Sequence, residues 1–155
     1  MRQRLLFGGL FARNKDPKER RKRQRFVPPP GTTILVVDDS RTVVHALRTM
    51  LRQAGYTTIE AGDAETGITL AREHRPNLIL LDVVLPGMNG FQATRVLNKD
   101  PLTANIPIIV MSGNQQATER FWVLKIGASD FMIKPFERGA LFEKIEQHVL
   151  RHVEA

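Results

Sequence analysis

Three short runs, residues 33–37, 78–81 and 106–111, are nearly all apolar, and each stops at an oxygen-bearing side chain: Asp38 and Asp39, then Asp82, then Ser112. A run apolar at almost every position suits a strand covered on both faces, the situation at the centre of a parallel sheet. Two further segments have weaker strand character. Residues 57–61 mix Thr58 and Glu60 with Ile59 and Ala61, and residues 130–134 form a short run that ends in Lys134 before Pro135; both suit sheet edges. Helical period occupies the intervals, over 40–53, 63–73, 89–97, 115–126 and 137–151, with Gly55 and Gly127 as C-terminal caps. Alternating units of this kind predict an α/β chain with a doubly wound, five-stranded parallel sheet, and the apolar content fits strand order 2-1-3-4-5. No internal repeat of a solenoid kind is present.

In an open parallel sheet the carboxyl ends of the strands line one crevice, so Asp38, Asp39, Asp82, Ser112 and Lys134 are expected to meet there although they are scattered along the chain. Two ionised carboxylates about 4 Å apart repel by roughly 4 kcal/mol at an effective dielectric near 20. Three of them need a counter-charge. Oxygen ligands favour a hard divalent cation, and Mg²⁺ commonly takes one or two carboxylates, water and a phosphate oxygen. Each residue also has a plainer reading. Asp38-Asp39-Ser40 is a reasonable helix N-cap, Asp82 a turn residue and Lys134 a surface charge beside a proline.

The joint pattern resembles the receiver domain of bacterial two-component response regulators, over roughly residues 33–151. The resemblance implies a flavodoxin-like fold, with Asp82 as phosphoacceptor from a histidine kinase or phosphotransfer protein. It implies that Asp39, Asp82 and the backbone carbonyl of Val84 hold Mg²⁺, with Asp38 acting mostly through water. Ser112 and Lys134 then read the phosphoryl group, a cis Lys134-Pro135 bond is expected, and Phe131 is the aromatic residue that moves into the space Ser112 vacates. The responsive face is the fourth helix, fifth strand and fifth helix, where Trp122, Lys125 and Phe131 are candidate contacts for a downstream protein; the plainer reading of Trp122 is partial burial. In this family the positions two after the phosphoacceptor and two after the switch serine tune hydrolysis. Here they are Val84 and Asn114. Gly113 stands where a small residue, often Ala, is usual. The stretch 85–95, with residues 97–100 following, resembles the single-domain regulators of type IV pilus twitching motility.

Charge divides the chain more sharply than hydrophobicity does. Residues 1–31 carry ten Lys/Arg against Asp16 and Glu19, a net +8, whereas residues 32–155 carry thirteen against fourteen acids, a net −1. The expected division is therefore a basic, disordered arm, 1–31, ending in the Pro28-Pro29-Pro30 spacer, and a receiver domain, 32–155; the plainer reading of the arm is a solvated segment with no role of its own. With the last predicted helix ending near Ala155, output is expected through binding or through the arm. The arm suits an anionic membrane or a scaffold better than nucleic acid. Leu5, Leu6, Phe7, Leu10 and Phe11 accompany its charge, while the basic run has no interleaved aromatics. The alternative to a switch is a constitutive docking module whose basic arm binds an anionic membrane or nucleic acid.

The sequence has no cysteine, which excludes a disulfide framework and thiolate metal sites. Residues 5–12 are too short and Gly-interrupted to span a membrane. A cytoplasmic protein is expected, with a membrane-peripheral location as the variant. No Gly-rich nucleotide loop or nucleophile–base pair marks an enzyme with its own small-molecule turnover. His148 and His152, four apart with no third ligand in view, read as solvated helix-end histidines rather than as a metal pair.

Overall fold

The computed structural model describes residues 26–113 and 124–154. Five strands, β1 (Thr33–Val37), β2 (Thr57–Ala61), β3 (Leu78–Asp82), β4 (Ile108–Ser112) and β5 (Asp130–Ile133), form one parallel sheet in the order β2-β1-β3-β4-β5. The helices are α1 (Arg41–Gln53), α2 (Ala64–His74), α3 (Gly90–Lys99), the end of α4 (124–125 among the described residues) and α5 (Arg138–Glu154). The fold expected from the apolar runs is the one observed. The run 106–111 enters the sheet two residues late, at Ile108, because Pro107 has no N–H to donate to a ladder.

Strand period two divides the core into two layers. Leu35, Val37, Ile79, Leu81, Ile108, Val110 and Phe131 face α2 and α3, meeting Ile68, Ala71, Ala93 and Leu97. Ile34, Val36, Leu78, Leu80, Ile109, Met111 and Met132 face α1 and α5, meeting Leu47 and Leu51 of α1 and Leu141, Ile145 and Val149 of α5. Those helical residues recur every four positions, which keeps them on one face. Every residue of β3 and β4 is buried, while β2 is partly exposed along most of its length. Apolar content and sheet position therefore agree.

The helices start where the capping chemistry says they should. Ser40 caps α1 by accepting from the Val43 N–H at 3.3 Å, and Asp63 caps α2 by accepting from the Thr66 N–H at 2.7 Å. Asn89 and Gln92 form a reciprocal capping box at the start of α3, each accepting the other's backbone N–H at 2.9 Å. Gly55 and Gly127 follow the ends of α1 and α4 with φ of +100° and +107°, the left-handed region expected of C-terminal caps.

The chain entering β1 lies against the domain. Phe26 is half-buried against the α1–α5 layer, Pro28 is buried, and both the N–H and the hydroxyl of Thr32 donate to the Pro29 carbonyl, at 3.1 and 2.6 Å. Residues 1–25, which hold the whole basic run, lie outside the described residues.

Candidate functional site

The C-terminal ends of β1, β3, β4 and β5 bring the predicted residues together. Asp38 follows β1, Asp82 and Ser112 end β3 and β4, and Lys134 follows β5; all three of Asp38, Asp82 and Ser112 are buried. The backbone fixes this arrangement before any side chain acts. Asp38 N–H donates to the Ala61 carbonyl at 3.0 Å, Val83 N–H to Met111 at 3.0 Å, and Lys134 N–H to Ser112 at 2.7 Å. Each bond registers one strand end against its neighbour. The Lys134–Pro135 peptide is cis.

The α3 helix closes the floor. Gly90 N–H donates to the Val83 carbonyl at 2.9 Å, and a Cβ at Gly90 would lie 2.4 Å from the Asp82 carbonyl oxygen and 2.8 Å from the Val83 Cα. Only glycine allows α3 to begin this close to β3. The result is a fixed loop over 83–89 that leaves Val84 strongly exposed, at 72%.

Carboxylate oxygens of Asp38, Asp39 and Asp82 all lie within 4.8 Å of one another, with Asp39 the exposed member. Lys134 spans the group: its Nζ is 2.7 Å from Asp38 Oδ2 and 3.3 Å from Asp82 Oδ1. Asp38 also accepts from the Ser40 N–H at 2.9 Å, so it both holds the N-cap residue of α1 and anchors the lysine. Burial pushes the Asp82 carboxyl above the usual range and the Asp38 charge adds to the rise, against the pull of Lys134 and of the Val84 N–H. Lys134 is also held above its ordinary value: burial alone would lower it, but its bonds to Asp38 and Asp82 and their charges prevail. One ammonium against three carboxylates leaves the crevice negative, and the all-oxygen donor set suits a hard divalent ion.

Of the other predicted residues, Phe131 is buried in the α2–α3 layer and Lys125 is exposed at the end of α4, while Trp122 and Asn114 lie outside the described residues. His148 departs from expectation. It is 6% exposed rather than solvated, and its Nε2 lies 2.9 Å from Asp130 Oδ2. It stands one position before Val149 on α5, at the margin of the apolar face, which carries it under β5. Sequence reasoning also missed its partners, since neither Asp130 nor Lys144 belongs to a motif. The nearest signal was a histidine beside the apolar i, i+4 stripe of the last helix.

Fold and crevice together define a protein class. The model of the response regulator receiver domain matches residues 34–146, and the chain belongs to that family, the signalling modules of two-component systems. Protein PilH of Pseudomonas aeruginosa is 41% identical over 112 residues, which cover 72% of this chain and 93% of that protein. The DNA-binding response regulator MtrA of Mycobacterium tuberculosis is 36% identical over 119 residues, covering 77% of this chain but only 51% of that protein. Among solved structures, a putative response regulator from Chloroflexus aurantiacus superposes with a TM-score of 0.74 at 29% identity, covering 77% of this chain and 98% of that one. The receiver domain of a sensor histidine kinase from Pseudomonas aeruginosa, solved with a magnesium ion coordinated in its active-site cleft, gives 0.72 at 29% identity over 77% of this chain and 98% of its own. Receiver domains bind Mg²⁺ at an acidic site and interact with histidine kinases or phosphotransfer proteins, and the acid cluster here has the donors for such an ion. Among the described residues no helix is long and apolar enough to cross a membrane.

Proposed function

We propose that this chain is a phosphorylation-switched response regulator in which Asp82 accepts the phosphoryl group. The observation that carries the reading is the position of Lys134, whose ammonium touches both Asp38 and Asp82 in a crevice that remains net negative. An Asp82 carboxylate oxygen attacks the phosphorus of a phosphohistidine on the partner. The P–N bond breaks, and the imidazole leaves with its electron pair and takes up a proton. Mg²⁺, when bound, supplies neutralisation of charge on the transferring group, and Asp39, Asp82 and the Val84 carbonyl would hold it, with Asp38 acting through water. Lys134 pairs with one phosphoryl oxygen, and the Ser112 hydroxyl donates to another. Ser112 and Lys134 thereby turn a charge change into movement of Phe131 and of the α4–β5–α5 face, to which a downstream protein binds. Lys125 stands on that face.

Two finer assignments belong to the same reading. The loop and helix over 85–100 resemble those of pilus motility regulators, and the similarity to Protein PilH supports a role in that pathway for a cytoplasmic regulator. Val84 offers no polar group to position an attacking water, so the phosphoryl group is held for long periods.

The deciding experiment is intact-protein mass after incubation with acetyl phosphate or a phosphorylated histidine kinase, with and without Mg²⁺, for wild type and Asp82→Asn. One labile phosphate that requires both Mg²⁺ and Asp82 is expected. Absence of any adduct from either donor overturns the switch and leaves a constitutive docking module, with the basic arm as its contact to an anionic membrane or a scaffold.

A further inference from the structure

Strand β5 carries Phe131, and it is fastened by charge at both ends. At its C-terminal end Lys134 reaches the crevice acids. At its N-terminal end the Asp130 carboxylate accepts three hydrogen bonds: Oδ1 from the Phe131 N–H at 2.8 Å and from Lys144 Nζ at 2.7 Å, and Oδ2 from His148 Nε2 at 2.9 Å. Lys144 and His148 lie one turn apart on α5, and the side chains of Asp130 and His148 are 19% and 7% exposed. As the last strand of the sheet, β5 has a strand partner on one side only, β4. Hydrogen bonds to a charged, mostly buried carboxylate are stronger than neutral ones, and the Asp130 carboxyl is held below its usual range: burial alone would raise it, but Lys144, His148 and the Phe131 N–H outweigh that.

We propose that Asp130, Lys144 and His148 are positioning residues that clamp the fixed end of β5 to α5, so that the strand and the helix move as one unit when the Lys134 end responds to the phosphoryl group. The proposal rests on the switch reading above for its trigger, but not for the clamp itself. With the Asp130 end fixed and the Lys134 end mobile, displacement of Phe131 is delivered to α5. Without the clamp, β5 shifts against α5, and the two halves of the output face no longer change together.

Amide NMR on the full chain tests this, using Mg²⁺ with beryllofluoride as phosphoryl mimic, for wild type, Asp130→Ala and Asp130→Asn. In wild type the amides of 131–133 and of 144–149 are expected to shift with a single midpoint. In Asp130→Ala the β5 amides still shift, whereas the α5 shifts fall to about a third or less; α5 shifts of wild-type size overturn the proposal. A second readout needs no ligand. Hydrogen exchange at the Met132 amide, on the part of β5 paired with β4, should quicken about tenfold in Asp130→Ala relative to the amides of β1, and unchanged exchange overturns the clamp. If wild type ignores beryllofluoride altogether, it is the switch reading that fails, and exchange alone then decides the clamp. Should Asp130→Ala fail to fold, Asp130→Asn, which keeps the shape and the acceptor for Phe131 but removes the charge, carries the α5 readout.

Discussion

Asp82 holds its charge at a cost, because it is buried and faces Asp38, and Lys134 answers only part of that penalty. The sign of the resulting pH dependence follows directly. A carboxyl whose folded value is raised contributes stability that is complete below the unfolded value and lost as pH rises through the folded one. Asp82→Asn is therefore expected to be more stable than wild type at neutral pH, on the order of 1 kcal/mol, with the advantage vanishing once the carboxyl is protonated. Urea denaturation at pH 7 and near pH 4 checks this, and a variant less stable than wild type at pH 7 would count against it. Two residues on, Val84 is 72% exposed beside the site and bears no polar group. Val84→Asn should shorten the lifetime of the phosphorylated form several-fold, read as loss of the labile adduct with time; an unchanged decay would remove Val84 from the explanation.

Elements meet at this site through backbone rather than side chain. The α3 helix can start against β3 because Gly90 presents no Cβ to the Asp82 carbonyl, and the Asn89–Gln92 box satisfies the N–H groups at that start. Gly90→Ala forces the helix outward and should destabilise the fold by about 1–3 kcal/mol, the usual range for overpacking. The same displacement moves the 83–89 loop, so Mg²⁺ affinity should fall as well. Equilibrium unfolding and a Mg²⁺ titration measure the two effects; a variant of wild-type stability would show that the contact at Gly90 is slack. The cap at Ser40 was legible in advance because an N-cap is a local event, decided within four residues, and the helices expected to open at 63 and 89 prove to have Asp63 and Asn89 as their caps. The burial of His148 was not. Its partner Asp130 is 18 residues away on another element, and helical period alone puts His148 at the margin of the buried face.

For the whole molecule, the negative crevice predicts linkage to a divalent cation. A ligand that binds only the folded state stabilises by about 2.7 kcal/mol at a hundred times its dissociation constant. Thermal unfolding should therefore shift upward with Mg²⁺ in wild type and much less in Asp39→Ala, which removes an exposed donor without disturbing the core. Equal shifts in both proteins would exclude Asp39 from the ligand set. The sequence alone was enough to separate central strands from edge strands and to bring Asp38, Asp39, Asp82, Ser112 and Lys134 to one crevice, while the full order 2-1-3-4-5 came with the family resemblance. A strand buried on both faces must be apolar throughout, and parallel strands put their C-terminal ends on one side. Tertiary structure alone decided which charges touch. Lys134 lies nearer to Asp38, 96 residues away, than to Asp82. Asp130 gathers Lys144 and His148, and Phe26 and Pro28 lie on the domain instead of leading away from it. Periodicity specifies the face on which a side chain lies, whereas the partner it reaches depends on how separate elements are offset in space.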